Sequence, residues 1–199
     1  MLTVVTPAVT GDLTVLATVK AELGIQGSAE DAYLSSLICQ ASGMLAAFCG
    51  RPSFGTERLR QVERLERPRD AILLKRNLQP RVLSVAEDGT VLPASAYELS
   101  GALLYRLEAD HRVPWVADRK IEITYDSGYD LLTGLPHDLE RACLEVIKAT
   151  YHARARDPLL RSESVEGIGA SAWLDPRTGM EALPPQAAAL AAPYRAWAL

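Results

Sequence analysis

Lys120-Ile-Glu-Ile-Thr-Tyr125 alternates apolar and polar side chains; Pro136-His-Asp-Leu-Glu-Arg-Ala-Cys-Leu-Glu-Val-Ile-Lys-Ala-Thr-Tyr151 does not. The first has the period of two of a half-buried strand. In the second, Leu135, Leu139, Ala142, Cys143, Val146 and Thr150 recur at three- and four-residue spacing, the period of an amphipathic helix. Ser127-Gly128 supplies a turn between them, and Pro136, with its preset φ and missing N–H, suits the first helical position. A chain built on this stretch must join the end of a sheet to a long helix. The stretch holds no catalytic constellation, so any function is expected to lie on surfaces that it supports.

Two further helices are expected before it. Leu16, Val19 and Leu23 form one stripe, with Thr14 as the capping hydroxyl and Gly24 as the stop. Leu34, Leu37, Ile38, Ala41, Leu45 and Phe48 form a longer one, opened by a capping-box-like Ser28-Ala-Glu-Asp31 and closed by Gly50 and Pro52. Gly43 inside it suggests close approach of another backbone, since Gly there costs about 1 kcal/mol against Ala. Residues 1–13 read as a loose arm. The stretch 57–70 is dense in Arg and Glu; Pro68 and the strands that follow favour an extended, edge-like strand over a helix. From 71 to 125 short apolar runs are joined by tight turns, the clearest at Asp88-Gly89, which implies an antiparallel meander.

After 157 the pattern changes again. Residues 158–185 are rich in Pro, Gly and Ser with little periodicity, as in an arm, although Val165, Ile168, Ala170, Ala172 and Leu174 suit a strand added to a sheet. The last segment, from Leu183 on, has one charged side chain, Arg195, and ends in Tyr194, Trp197 and Leu199. Exposed apolar surface of that extent marks an interaction. Two readings stay open, a helix docked on its own domain and an anchor held by a partner through the aromatic and aliphatic side chains that dominate interface hot spots. The second is preferred, and with it a tail whose removal leaves the fold intact. The resulting expectation is an α+β chain, mainly a helical bundle (14–23, 29–49 and 136–155) with a small antiparallel sheet. Its core spans 1–157 and its extended arm and anchor 158–199.

Composition narrows the function classes. Net charge is −4 with both signs interspersed, which argues against a general nucleic-acid binder. No segment approaches the roughly 18 apolar residues of a membrane span. Cys39, Cys49 and Cys143 are odd in number, lack a C-x-x-C, and lie in or beside apolar helix stripes, so buried free thiols are expected in a protein made in the cytosol. His111, His137 and His152 have no ligand-like neighbours at helical spacing, and Gly167-Ile-Gly169 is only a fragment of a dinucleotide fingerprint. No metal or cofactor is expected. In the charged stretch, Arg58, Arg60, Glu63, Arg64 and Arg67 suit an inter-subunit face, where opposite charges set register. A small enzyme with a sheet–helix cleft and a nucleic-acid-binding module are the alternatives from other classes.

The order of these features resembles the head–tail connector (adaptor) family of long-tailed phages and of gene transfer agents. The resemblance rests on Leu16-Ala-Thr-Val-Lys20-Ala-Glu-Leu23, on Asp31-Ala-Tyr-Leu34-Ser-Ser-Leu37-Ile38 ending in Cys49-Gly50-Arg51, on the Asp88-Gly89 hairpin, on Ile121 to Tyr129 followed by Leu135-Pro136, and on Leu190-Ala-Ala-Pro193-Tyr194-Arg195. It implies a non-enzymatic virion protein, without cofactor, assembled in the bacterial cytoplasm and sited at the head–tail junction. It further implies a ring, dodecameric in such families, below the portal. Leu190, Pro193, Tyr194, Arg195, Trp197 and Leu199 would reach the portal protein, another surface would meet a stopper or tail terminator, and DNA would pass through without sequence-specific binding.

Overall fold

In a computed structural model, the structure describes residues 1–154, 162–165, 169–172 and 183–196, with the backbone alone at 162–165 and 169–172. The chain folds as two compact units, each drawn from separate stretches: Met1–Thr10 with Ser53–Gly134, and Gly11–Pro52 with Leu135–Leu199.

The first unit is all antiparallel sheet. One sheet has five strands, β1 (Leu2–Thr6), β2 (Glu57–Arg64), β4 (Arg81–Glu87), β5 (Thr90–Val91) and β9 (Lys120–Ser127), in the order β1-β2-β9-β4-β5. The other comprises β3 (Ala71–Leu73), β6 (Tyr97–Ser100), β7 (Leu103–Glu108) and β8 (His111–Val113), with β7 between its neighbours. β9 is central because its alternation is the cleanest in the chain: Ile121, Ile123, Tyr125 and Ser127 are buried while the residues between them are half-buried. Ile121, Ile123 and Tyr125 join Leu59, Leu65, Ile72, Leu74, Val85, Leu104 and Trp115 in one core shared by the two sheets. Trp115 is fully buried and its indole N–H donates to the Leu104 carbonyl at 3.0 Å, which removes the cost of hiding that donor. Asp88 and Gly89 both take positive φ, as the two-residue turn from β4 to β5 demands.

The second unit holds the helices: α1 (Leu16–Leu23), α2 (Asp31–Phe48), α3 (His137–Ala153) and α4 (Pro185–Ala191), together with a separate two-stranded sheet of β10 (Ser162–Val165) and β11 (Gly169–Ala172). The stripes read from the sequence line its core: Leu34, Leu37, Ile38, Ala41 and Leu45 on α2, and Leu139, Ala142, Cys143 and Val146 on α3. Leu144 and Ile147 are buried as well, whereas Thr150 is exposed and turns its hydroxyl onto the Val146 carbonyl. Gly24 and Gly50 end α1 and α2 with positive φ. The N–H groups of Gly50 and Arg51 return to the carbonyls of Ala47 and Ala46, so the last turn of α2 is closed by backbone.

The expectation of a mainly helical bundle is overturned. Eleven strands in antiparallel sheets stand beside four α-helices among the described residues. Two stretches account for the difference. Part of the supposed loose arm is β1, and the stretch from 57 is not an edge but an inner strand, paired with β1 on one side and β9 on the other. Its apolar spacing of three hides a strand register in which Leu59 and Gln61 face the core. The expected caps are replaced too. Val15 and Glu30 precede α1 and α2 without side-chain cap bonds. Thr14 instead donates to Glu140 at 3.2 Å, and Asp31 instead receives Lys20 at 2.7 Å. Pro136 occupies the cap of α3, one residue before the expected place. Gly43 is exposed with open space beside it, so no backbone among the described residues approaches there. Of the residues expected to add to a sheet, Val165, Ala170 and Ala172 lie on β10 and β11; Ile168 and Leu174, like Gly167, lie outside the described residues.

Candidate functional site

Two surfaces hold the residues singled out in the sequence, one on each unit. On the helical unit, the C-terminal segment 183–196 packs as part of the core. Leu183, Ala187, Ala188 and Ala191 are buried, because the small alanine side chains let α4 lie close against its neighbours. The segment is then tied to the end of α2 by backbone groups. The Ala196 N–H donates to the Cys49 carbonyl at 2.7 Å, the Cys49 thiol to the Ala191 carbonyl at 3.5 Å, and the Arg51 Nε to the Tyr194 carbonyl at 2.8 Å. The Arg195 guanidinium lies 5.1 Å from the Phe48 ring centroid, within cation–π range. Of the expected anchor residues, Leu190 and Tyr194 are half-buried and Pro193 and Arg195 exposed; Trp197 and Leu199 lie outside the described residues. Residues 183–196 are therefore docked on their own unit, and their removal would open its core rather than leave the fold intact.

Charged pairs clasp the same unit. Glu22 receives Arg141 at 2.9 Å and Lys148 at 3.0 Å; Glu30 receives Arg154 and the Tyr151 hydroxyl, each at 2.8 Å. The hydrogen bond from Lys148 is the main reason that the Glu22 carboxyl titrates below its ordinary value, and the bond from Arg154 does the same for Glu30. Two of the cysteines are buried, and burial pushes the Cys49 thiol up and that of Cys143 up to about 12. Cys39 is exposed, against the expectation of three buried thiols. The pattern around it is apolar, but the position itself falls on the outer face of α2.

On the sheet unit the charged stretch splits in two. Arg58 and Arg60 project from the outer face of the five-stranded sheet and are held by β9: Arg58 makes a two-pronged pair with Asp126 (2.9 and 3.2 Å), and Arg60 meets Glu122 at 2.6 Å. Lys120 pairs with the same Glu122. Glu63 accepts from Lys75 at 2.9 Å and from the Gln61 amide at 3.0 Å. Glu63 also lines an open groove of about 530 Å³, with Arg64, Leu65, Glu66, Arg67 and Arg69. Its three arginines make no ion pair among the described residues, and they share the groove with the carboxylates of Glu63 and Glu66. The sequence marked Arg64 and Arg67 but offered nothing to separate them from Arg58 and Arg60; the partners across the sheet do, since Arg58 lies opposite Asp126 and Arg64 opposite Lys120, while Arg67 lies beyond β2.

Gln61 was missed. It is fully buried, yet its oxygen accepts from the Lys75 N–H (3.0 Å) and the Tyr125 hydroxyl (3.3 Å), and its nitrogen donates to the Leu73 carbonyl (2.9 Å). Each of these links joins groups distant in sequence, so no local pattern could have revealed them. The three histidines are exposed and separate, and no group of three or more His, Cys, Asp or Glu side chains is disposed for a metal among the described residues. None of the described helices is long and apolar enough to cross a membrane.

Solved structures share this architecture over its whole length. A chain in the neck of an empty GTA particle computed with C6 symmetry superposes with a TM-score of 0.58 at 19% identity. A chain of the virion of the native gene transfer agent particle gives 0.55 at 18%. One in the neck of the native particle computed with C12 symmetry gives 0.55 at 17%. Each match covers 100% of this chain and 97% of the other. The fold is that of a gene transfer agent particle chain. No family model matches, and no curated protein does.

Proposed function

We propose that this chain is a structural head–tail adaptor of a phage-like particle. It forms a ring of twelve copies below the portal, joins capsid to tail and lets DNA pass. One observation carries the reading: the fold is shared end to end with chains in particle necks, including one computed with C12 symmetry. A ring suits head-to-tail contacts between identical copies, which close when the rotation permits. The mixed-sign surface and net charge of −4 give little general grip on duplex DNA, as a conduit requires. In this reading the chain assembles in the bacterial cytoplasm, is not an enzyme and needs no cofactor. Leu190, Pro193, Tyr194 and Arg195 form the docked base of the portal contact, and Trp197 and Leu199 complete it. The charged stretch from Arg58 to Arg67 faces the next copy, and another surface meets the stopper or tail terminator.

The test is native mass of the chain mixed with its portal protein. A complex of the size of a twelve-copy ring on the portal is expected, and co-purification is expected to drop at least tenfold when the chain is cut after 196, with its melting temperature unchanged. A particle that never exceeds the monomer in the presence of portal overturns the adaptor reading. Equal co-purification of the cut chain overturns the anchor role of the last residues.

A further inference from the structure

Among the described residues, the outer edge of β1 is unpaired. The Met1 amino group donates to the Val62 carbonyl at 2.7 Å and the Val62 N–H returns to the Met1 carbonyl at 2.8 Å, so these two residues form a bonded pair. Bonded and non-bonded pairs alternate along an antiparallel ladder, and the register pairs Leu2 with Gln61, Thr3 with Arg60 and Val4 with Leu59. Thr3 is therefore the next bonded residue, and the N–H and C=O groups of Leu2 and Val4 turn away from β2, where the sheet has no further strand among the described residues. Such an edge is a template for another strand unless it is short, charged, kinked or covered. The opposite edge, β5, has only two residues. β1 has five, Leu-Thr-Val-Val-Thr, with no charge and no proline; its register shifts between Val4 and Thr6, so the regular edge is Leu2–Val4, and Val4 and Val5 are exposed.

The β10–β11 hairpin has the complementary shortage. Its strands pair with each other, from Ser162–Ala172 to Val165–Gly169, and among the described residues belong to no larger sheet. A lone two-stranded hairpin is marginal in water. We infer that the β10–β11 hairpin of one copy adds to the β1 edge of the next, linking identical chains by backbone hydrogen bonds. This rests on the ring reading above. Each copy contributes one edge and one hairpin, so a closed ring leaves neither over, as a heterologous contact requires. Strand addition draws its affinity from main-chain bonds, which matches strands made mostly of small residues, Ser-Glu-Ser-Val in β10, where Glu163 is the one charge, and Gly-Ala-Ser-Ala in β11.

Hydrogen–deuterium exchange on the portal-bound ring tests the inference, reading the amides of Leu2 and Val4 against the free chain. Slowing by at least tenfold in the ring is expected. It should be lost when residues 162–172 are replaced by a Gly-Ser linker of equal length. Val4→Pro removes an outward N–H that its own sheet does not use; it should leave the melting temperature within a few degrees and cut the ring fraction at least tenfold, whereas Thr3→Pro should destabilise the chain itself. Wild-type rings whose Leu2 and Val4 amides exchange as fast as in the free chain overturn the inference and leave the adaptor reading standing. So does protection that persists with the linker, which gives the edge to another occupant such as the portal. A wild-type chain that forms no ring at all with portal overturns both.

Discussion

Gly128 shows how much a single position can decide. It follows β9 with φ +126, and a Cβ there would lie 2.2 Å from the Gly55 carbonyl oxygen. The squeeze has a purpose. The Gly128 N–H donates to the Leu78 carbonyl at 2.7 Å, and the Thr56 and Tyr129 N–H groups bond across to Tyr129 and Phe54. Three backbone segments thus meet where only a hydrogen fits. Gly128→Ala combines a backbone clash with a conformation that side chains disfavour, and a loss of about 3 kcal/mol or more is expected. Gly89 also has positive φ, +85, but open space beside it; Gly89→Ala should cost only about 1–2 kcal/mol. Urea unfolding of the two variants separates the effects, and equal losses would show that the close approach at Gly55 is unimportant. A turn at Ser127-Gly128 is expected from the sequence, because Gly after an alternating strand is a strong turn signal; Ser127 instead ends β9, Gly128 is a bend, and the turn falls at 131–133. The role of Gly55 as the partner of Gly128 was not legible, since the two are separated by more than seventy residues and neither neighbourhood names the other.

At the scale of elements, legibility followed the strength of the hydrophobic pattern. β9, α2 and α3 carry large apolar side chains at a single period, and each folds close to where that period places it. β1 has no alternation and most of its side chains are exposed, so its strand character comes wholly from pairing with β2. The C-terminal segment is a mixed case. Its apolar content announced that it would dock. That it docks in cis depends on the carbonyls of Cys49, Ala191 and Tyr194, groups that every residue possesses and no pattern marks. The helices also carry a pH dependence. Glu22 and Glu30 titrate below the ordinary glutamate value of 4.5 in the folded unit. A carboxylate with a depressed folded value contributes stability that is fully present above its unfolded value and is lost as pH falls through the folded one. These groups therefore leave stability flat between pH 7 and about 5.5 and contribute to its decline below about 4.5. Exposed pairs are individually weak, so the readout is the slope of the acid limb. The E22Q/E30Q double variant should show a shallower fall of melting temperature between pH 5 and 3 than the parent, and an unchanged slope would mean that the two clasps add nothing to the fold.

For the whole molecule, the division within the charged stretch predicts which residues serve the fold and which serve assembly. Arg58 and Arg60 already have partners on β9. Reversing them sets like charges against Asp126 and Glu122, so the cost should fall on the sheet and lower the melting temperature of the free chain. Arg64 and Arg67 line the groove without an ion pair among the described residues. Reversing them removes nothing that the free chain uses, and its melting temperature should stay within a few degrees. If neighbouring copies meet along this stretch, those two guanidinium groups are the ones that remain for a partner's carboxylates. Exposed charges at an interface rim act mainly on association rate and salt dependence, and their reach falls to about 8 Å at physiological ionic strength. The R64E/R67E chain should therefore form rings with portal about tenfold more slowly at low salt, with the deficit shrinking as salt is raised. Light scattering against salt concentration reads both quantities. Assembly at the parental rate in low salt would remove the charged stretch from the subunit interface, and slower assembly by R58E/R60E at an unchanged melting temperature would transfer the role to the sheet face.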